Sequence, residues 1–223
     1  MLIPMRNAKK IGADVVDCLT NFNPHQGKDQ VEQYLLLSLW HLFGFCSTNV
    51  KSFSQLISVF VKSVLSRPIW EGSQYEGDET KRREALRLAM QLRANYIDVE
   101  LEIVHEFNDS MDGKKPDKFK VIVSSHNFHN TPTPETIADL VARIQATGAD
   151  MVKISTAALD IKDYGKHFSG YGTFSRVVWG ERGLISWLLS RKFGSYLTHG
   201  ALEAGAISAP GQSTAEDLGR CFL

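Results

Sequence analysis

The sequence predicts an α/β fold built on a parallel sheet. Two short apolar runs, KVIVSS at 120–125 and MVKIST at 151–156, have the length and β-branched content of buried strands. Between them Thr133-Pro134-Glu135 supplies a helix start: a capping hydroxyl, a proline in the first turn and an early acid. Strand, helix and strand make a βαβ unit, whose crossover requires parallel pairing. Its repetition along the chain argues for an α/β sheet or barrel.

The 223 residues carry 25 basic and 25 acidic side chains, and 43% of them are hydrophobic. One globular domain over 1–223 is expected. Zero net charge gives no footprint for nucleic acid or for a polybasic membrane contact. Cys18, Cys46 and Cys221 are odd in number and far apart, which fits neither a disulfide framework nor a zinc ribbon.

The opening MLIPMRNAKKIGADVVD has the pattern of neither a secretory signal nor a transit peptide. Residues 34–45 (YLLLSLWHLFGF) are nearly all apolar, but a bilayer span needs about 20 such residues and this run stops short, so no membrane insertion is expected. Asp78 caps a helix from Glu79 with Ala85, Leu86, Ala89 and Leu92 on its apolar stripe. Residues 96–102 (YIDVELE) alternate as a strand. After Pro134, Ile137, Leu140, Val141 and Ile144 form a helical stripe that Gly148 ends. Another helix and strand are due across 162–179, although that stretch is rich in glycine and aromatics, and a last strand at 195–200.

Lys153 opposes Val152 and Ile154 across its strand. Desolvation of a lysine in an apolar strand favours the neutral amine, which is the form that attacks a ketone to give a Schiff base. The plainer alternative is a lysine on an edge strand, facing water. His126 follows the strand that ends in Ser124 and Ser125, where parallel α/β folds place reacting groups. A capping or packing histidine is its plainer alternative. The run Ala206-Ile207-Ser208-Ala209-Pro210-Gly211-Gln212 is loop chemistry, either a simple turn or a lid.

Other patterns fail. Asn108-x-Ser110-x-Asp112-Gly113 begins like a calcium loop but has Phe119 at its twelfth position. His105-Glu106 lacks a second histidine at helical spacing, and no phosphate-binding glycine motif is present.

Six motifs recur in order: Arg67-Pro68-x-Trp70-Glu71-Gly72, Asp98-Val99-Glu100-Leu101, Ser124-Ser125-His126-Asn127, Gly148-Ala149-Asp150-Met151-Val152-Lys153-Ile154, Gly180-Glu181-Arg182-Gly183-Leu184-Ile185-Ser186 and Ser208-Ala209-Pro210-Gly211-Gln212. Together they resemble the type I 3-dehydroquinate dehydratases, in the form found as the N-terminal domain of plant bifunctional dehydratase–shikimate dehydrogenases. The resemblance implies a (β/α)8 TIM barrel of the class I aldolase type and the dehydration of 3-dehydroquinate in the shikimate pathway. It implies Lys153 as the imine-forming lysine, His126 as the general base and Glu71 as the carboxylate that orients it. Arg67, Ser208 and Gln212 fall at substrate-holding positions. No metal or diffusible cofactor is implied, and the location implied is the plastid.

The same resemblance marks departures. Trp187 stands where the family has an arginine for the substrate carboxylate. Residues 27–65 and 162–179 are atypical. The family's first strand would precede Met1 and is expected to be absent, and the second and seventh strands are expected to be altered, giving an incomplete barrel without a dehydrogenase half. Two rivals stay open: a catalytically silent barrel with a binding role, and another lysine-dependent aldolase-type barrel.

Overall fold

A computed structural model of the chain describes residues 15–19, 61–65, 79–91, 95–111, 115, 119–167, 174–196, 198–201 and 210–222. The chain divides into two compact units, Met1–Asp98 with Met111–Lys120, and Val99–Ser110 with Val121–Leu223.

In the first unit, strands β1 (Val15–Leu19) and β2 (Val61–Leu65) pair in parallel, Val15 opposite Val61. β2 pairs in turn with the start of β3 (Tyr96–Glu100), Leu65 opposite Asp98. Helix α1 (Glu79–Gln91) begins where the sequence places it, with Leu86 of its stripe fully buried and Arg82 paired to Glu79 at 2.9 Å. The expected strand at 96–102 stops at Glu100, where Ile103 donates its backbone N–H to Glu100 O in a turn and helix α2 (Val104–Ser110) follows.

The second unit is a run of βα steps. Strand β4 (Lys120–Asn127) leads to helix α3 (Pro134–Ala146), then to β5 (Met151–Ala157) and β6 (Phe174–Trp179). Thr133 caps α3 by accepting the N–H of Thr136, and the helix ends at Thr147 with Gly148 at φ 79°. Ile137 and Ile144 are its buried contacts. β4, β5 and β6 pair side by side in parallel, with Ser124 opposite Lys153 and Lys153 opposite Ser175. β5 is therefore a central strand, buried from Met151 to Thr156. Asp150 fastens the start of the β4–β5 pair: its carboxylate accepts the N–H of Val121 and its own N–H donates to Val121 O.

The atypical stretch 162–179 folds differently from its forecast helix. Residues Ile161–His167 form a 3-10 turn instead, with Asp163 donating its N–H to Asp160 O, and the Asp163 carboxylate fastens the start of the turn by accepting the N–H groups of Leu159 and Asp160. The following strand, β6, keeps full register with β5 through Trp179. After it come a short 3-10 turn (Glu181–Gly183), helix α4 (Leu184–Leu189) and, at the end, α5 (Ala215–Phe222).

The strand expected at 195–200 does not form among the described residues. Ala201 makes an isolated bridge to Thr214 there. No helix among the described residues is long and apolar enough to cross a membrane. The expectation for a first strand ahead of Met1 lies outside the described residues, as does 27–60.

Candidate functional site

Register decides which side chains share a face. In a parallel pair, directly opposed residues point the same way, and each strand alternates. Ile122, Ser124 and His126 of β4 therefore share a face with Met151, Lys153 and Ser155 of β5, and with Ser175, Val177 and Trp179 of β6. Val152, Ile154 and Thr156 point to the other face.

Lys153 is 4% exposed and stands between Ser124 and Ser175 in one row, with Ser155 next along its own strand. All three serines are buried. Such small side chains leave room for a long lysine stem lying within the face. The edge-strand, water-facing alternative for Lys153 is thereby removed.

His126 lies one row nearer the C-terminal end, opposite Ser155. With strands about 4.8 Å apart and about 3.3 Å of rise per residue, its Cα is about 8 Å from that of Lys153, within the joint reach of the two side chains. The ring is half-buried and lies parallel to the Trp179 indole, with centroids 5.7 Å apart and planes at 19°. Phe128, after β4, closes the group at 4.2 Å from Trp179.

Trp179 belongs to a buried cluster with Val177, Trp187 and Leu218. Trp187 is 2% exposed and donates its indole N–H to Val178 O at 3.1 Å. Ser186 ties α4 to the same strand, accepting the N–H of Val178 at 2.9 Å. Gly183 makes this closeness possible, since a Cβ there would fall 2.0 Å from Val178 O. The position implied for a substrate-gripping arginine is thus filled by an indole built into an apolar cluster.

Gln212 is buried on the loop before α5. That loop is fastened to the end of β6: Pro210 O accepts the N–H of Gly180 at 2.8 Å, and Gly211, at φ 80°, packs so tightly on Gly180 that a Cβ would lie 2.3 Å from its carbonyl oxygen. The late loop therefore docks beside Trp179, at the C-terminal end of the sheet. Glu71, Arg67 and Ser208 lie outside the described residues.

Sequence inspection missed Trp179, Ser155 and Ser175. Their signal is register parity with Lys153, which is available only once β5 and β6 are aligned. Among the described residues no group of three or more His, Cys, Asp or Glu is placed to hold a metal ion.

The chain is 48% identical over 226 residues to the chloroplastic bifunctional 3-dehydroquinate dehydratase/shikimate dehydrogenase of Arabidopsis thaliana, covering 98% of this chain and 34% of that protein. It thus spans about a third of that relative's length. It is 28% identical to the 3-dehydroquinate dehydratase of Methanosarcina acetivorans, over 70% of this chain and 68% of that protein.

Among solved structures, the type I 3-dehydroquinate dehydratase of Clostridium difficile superposes with a TM-score of 0.75 at 24% identity, covering 98% of this chain and 83% of that one. The Geobacillus kaustophilus 3-dehydroquinate dehydratase gives 0.78 at 19% identity, covering 96% and 81%. These likenesses give the chain the fold of that group, a parallel α/β barrel. Residues 5–222 match the type I 3-dehydroquinase family, and the chain belongs to it.

Proposed function

We propose that this chain is a 3-dehydroquinate dehydratase, a hydro-lyase that uses Lys153 to form a Schiff base. The observation that carries the reading is the burial of Lys153 on a central strand, one row below His126 on the same face. Family membership and the Arabidopsis relative support the same activity.

In this reading the Lys153 amine attacks the substrate ketone through its nitrogen lone pair, and the adduct loses water to become an iminium ion. His126 takes a proton from the carbon next to the imine carbon, and the electron pair moves onto nitrogen as an enamine. The enamine expels the hydroxyl one carbon further on, and the His126 proton goes with it as water. Hydrolysis of the conjugated imine then frees the amine and 3-dehydroshikimate. The iminium is the electron sink, so this sequence draws on no cofactor. Glu71 orients His126 and Arg67, Ser208 and Gln212 hold substrate. The reaction belongs to the shikimate pathway. The name of the Arabidopsis relative supports a plastid location, and it pairs a dehydratase with a shikimate dehydrogenase in one protein, of which this chain matches about a third.

A silent barrel retained for binding is favoured by one observation, the apolar burial of Trp187 where a substrate-gripping charge is implied. The deciding experiment is reduction with borohydride in the presence of 3-dehydroquinate, followed by mass spectrometry. The dehydratase reading expects a ligand adduct on Lys153, absent from Lys153→Met. A folded wild-type chain without adduct would leave the silent-barrel reading.

A further inference from the structure

We propose that Trp179 is a positioning residue for the His126 imidazole, acting on the plane of its ring. The torsion that turns a histidine ring is broad and roughly two-fold, so the ring plane is set by what lies against it more than by rotamer preference. Against His126 lies the Trp179 indole, 5.7 Å away by centroid and 19° from parallel, an offset stack of the favoured kind.

The plate is itself fixed. Trp179 is 7% exposed, buried among Val177, Trp187 and Leu218, and Trp187 is pinned by its N–H to Val178 O. Phe128 covers the same indole at 4.2 Å.

The two stacked residues come from strands that are not neighbours. β4 and β6 are separated by β5, so their backbones are about 9.6 Å apart. The rings meet across β5 because Ser155 and Ala157, opposite His126 and Trp179 respectively, are small. Lys153 lies on that same face of β5, one row below Ser155. The stack therefore holds the imidazole one row beyond Lys153, and restrains it from turning.

The consequence is selective. Imine formation at Lys153 does not require a fixed imidazole, whereas proton removal from the neighbouring carbon does. This consequence rests on the dehydratase reading. The geometry of the ring does not.

The test uses the full chain as wild type, Trp179→Phe and Trp179→Leu, each checked by circular dichroism. Proton NMR reads the His126 ring protons, assigned by their loss in His126→Gln. A ring-current displacement is expected in wild type, largely kept by the phenyl ring and reduced with leucine to what the Phe128 ring, stacked on His126 at 6.4 Å and 20°, supplies. Borohydride trapping on Lys153 is expected to be equal in all three. Turnover should fall about tenfold in Trp179→Leu with KM within about threefold, and Trp179→Phe should stay within about threefold of wild type.

Undisplaced His126 protons in folded wild type, or equal turnover of the leucine and phenylalanine variants, would overturn the proposal. A wild type that forms no adduct counts against the dehydratase activity instead, and the ring protons then decide the positioning by themselves.

Discussion

The Thr156 hydroxyl lies 2.8 Å from Nε2 of His167, and the direction of that hydrogen bond follows from its neighbours. Thr131 donates its only hydroxyl proton to Ala157 O at 2.9 Å. It therefore accepts from Thr156, 2.8 Å away, which leaves Thr156 to accept from the His167 N–H. His167, Thr156 and Thr131 form one ordered chain on the face of β5 opposite Lys153. It ties the 3-10 turn Ile161–His167 to the strand that carries the lysine.

Thr156→Val should consequently destabilise the protein by about 1–3 kcal/mol, because the buried His167 N–H loses its acceptor while the shape is kept. Thr156→Ser keeps the hydroxyl and should cost no more than about 1 kcal/mol for the lost methyl group. Urea unfolding of the three proteins compares them. Equal stability of the valine variant and wild type would mean that the chain contributes nothing.

The same turn has a pH-dependent anchor. Burial is the largest influence on the Asp163 carboxyl and pushes its pKa up, but the Lys166 ammonium and the N–H groups of Asp160 and Leu159 together outweigh it and hold the pKa below the ordinary value of 3.8. A carboxyl depressed in the folded state stabilises it above the unfolded pKa and loses that contribution as pH falls through the folded one. The stability gap between wild type and Asp163→Asn should stay level from about pH 7 to pH 5 and close below about pH 4. Thermal unfolding across that range reads it, and a gap that widens on acidification would contradict the assignment.

Trp187→Arg restores the charge that the family resemblance places at this position, yet the surroundings have been rebuilt for an indole. The side chain is buried with Val177, Trp179 and Leu218, and the only hydrogen bond recorded for it among the described residues is its donation to Val178 O. Arginine here should lower stability by about 3–5 kcal/mol, since it removes a packed indole and buries a cation. Wild-type stability in the arginine variant, measured by urea unfolding, would show that the guanidinium finds a polar outlet.

Much of the second unit was legible because its signals are local. Thr133 caps α3 as its hydroxyl and the following proline foretell, and β4 and β5 stand where their β-branched runs lie. The stretch 162–179 was harder. The seven residues from Ile161 to His167 close 3-10 turns, and the Asp163 carboxylate anchors their start to the N–H groups of Leu159 and Asp160, contacts that composition does not encode. The expected strand at 195–200 failed for a related reason: pairing is a property of two segments, and among the described residues of this stretch the pairing comes as isolated bridges such as that of Ala201 to Thr214.

Lys153 and His126 could be singled out from the chain alone, because a lysine in an apolar strand and a histidine at a strand end stand out from their immediate neighbours. The company they keep could not. That Ser124 and Ser175 flank Lys153, that Trp179 backs the imidazole and that Trp187 sits in an apolar cluster depend on strand register, where a slip of one residue turns every side chain to the opposite face. Sequence determined the chemical groups, and tertiary pairing decided which of them meet.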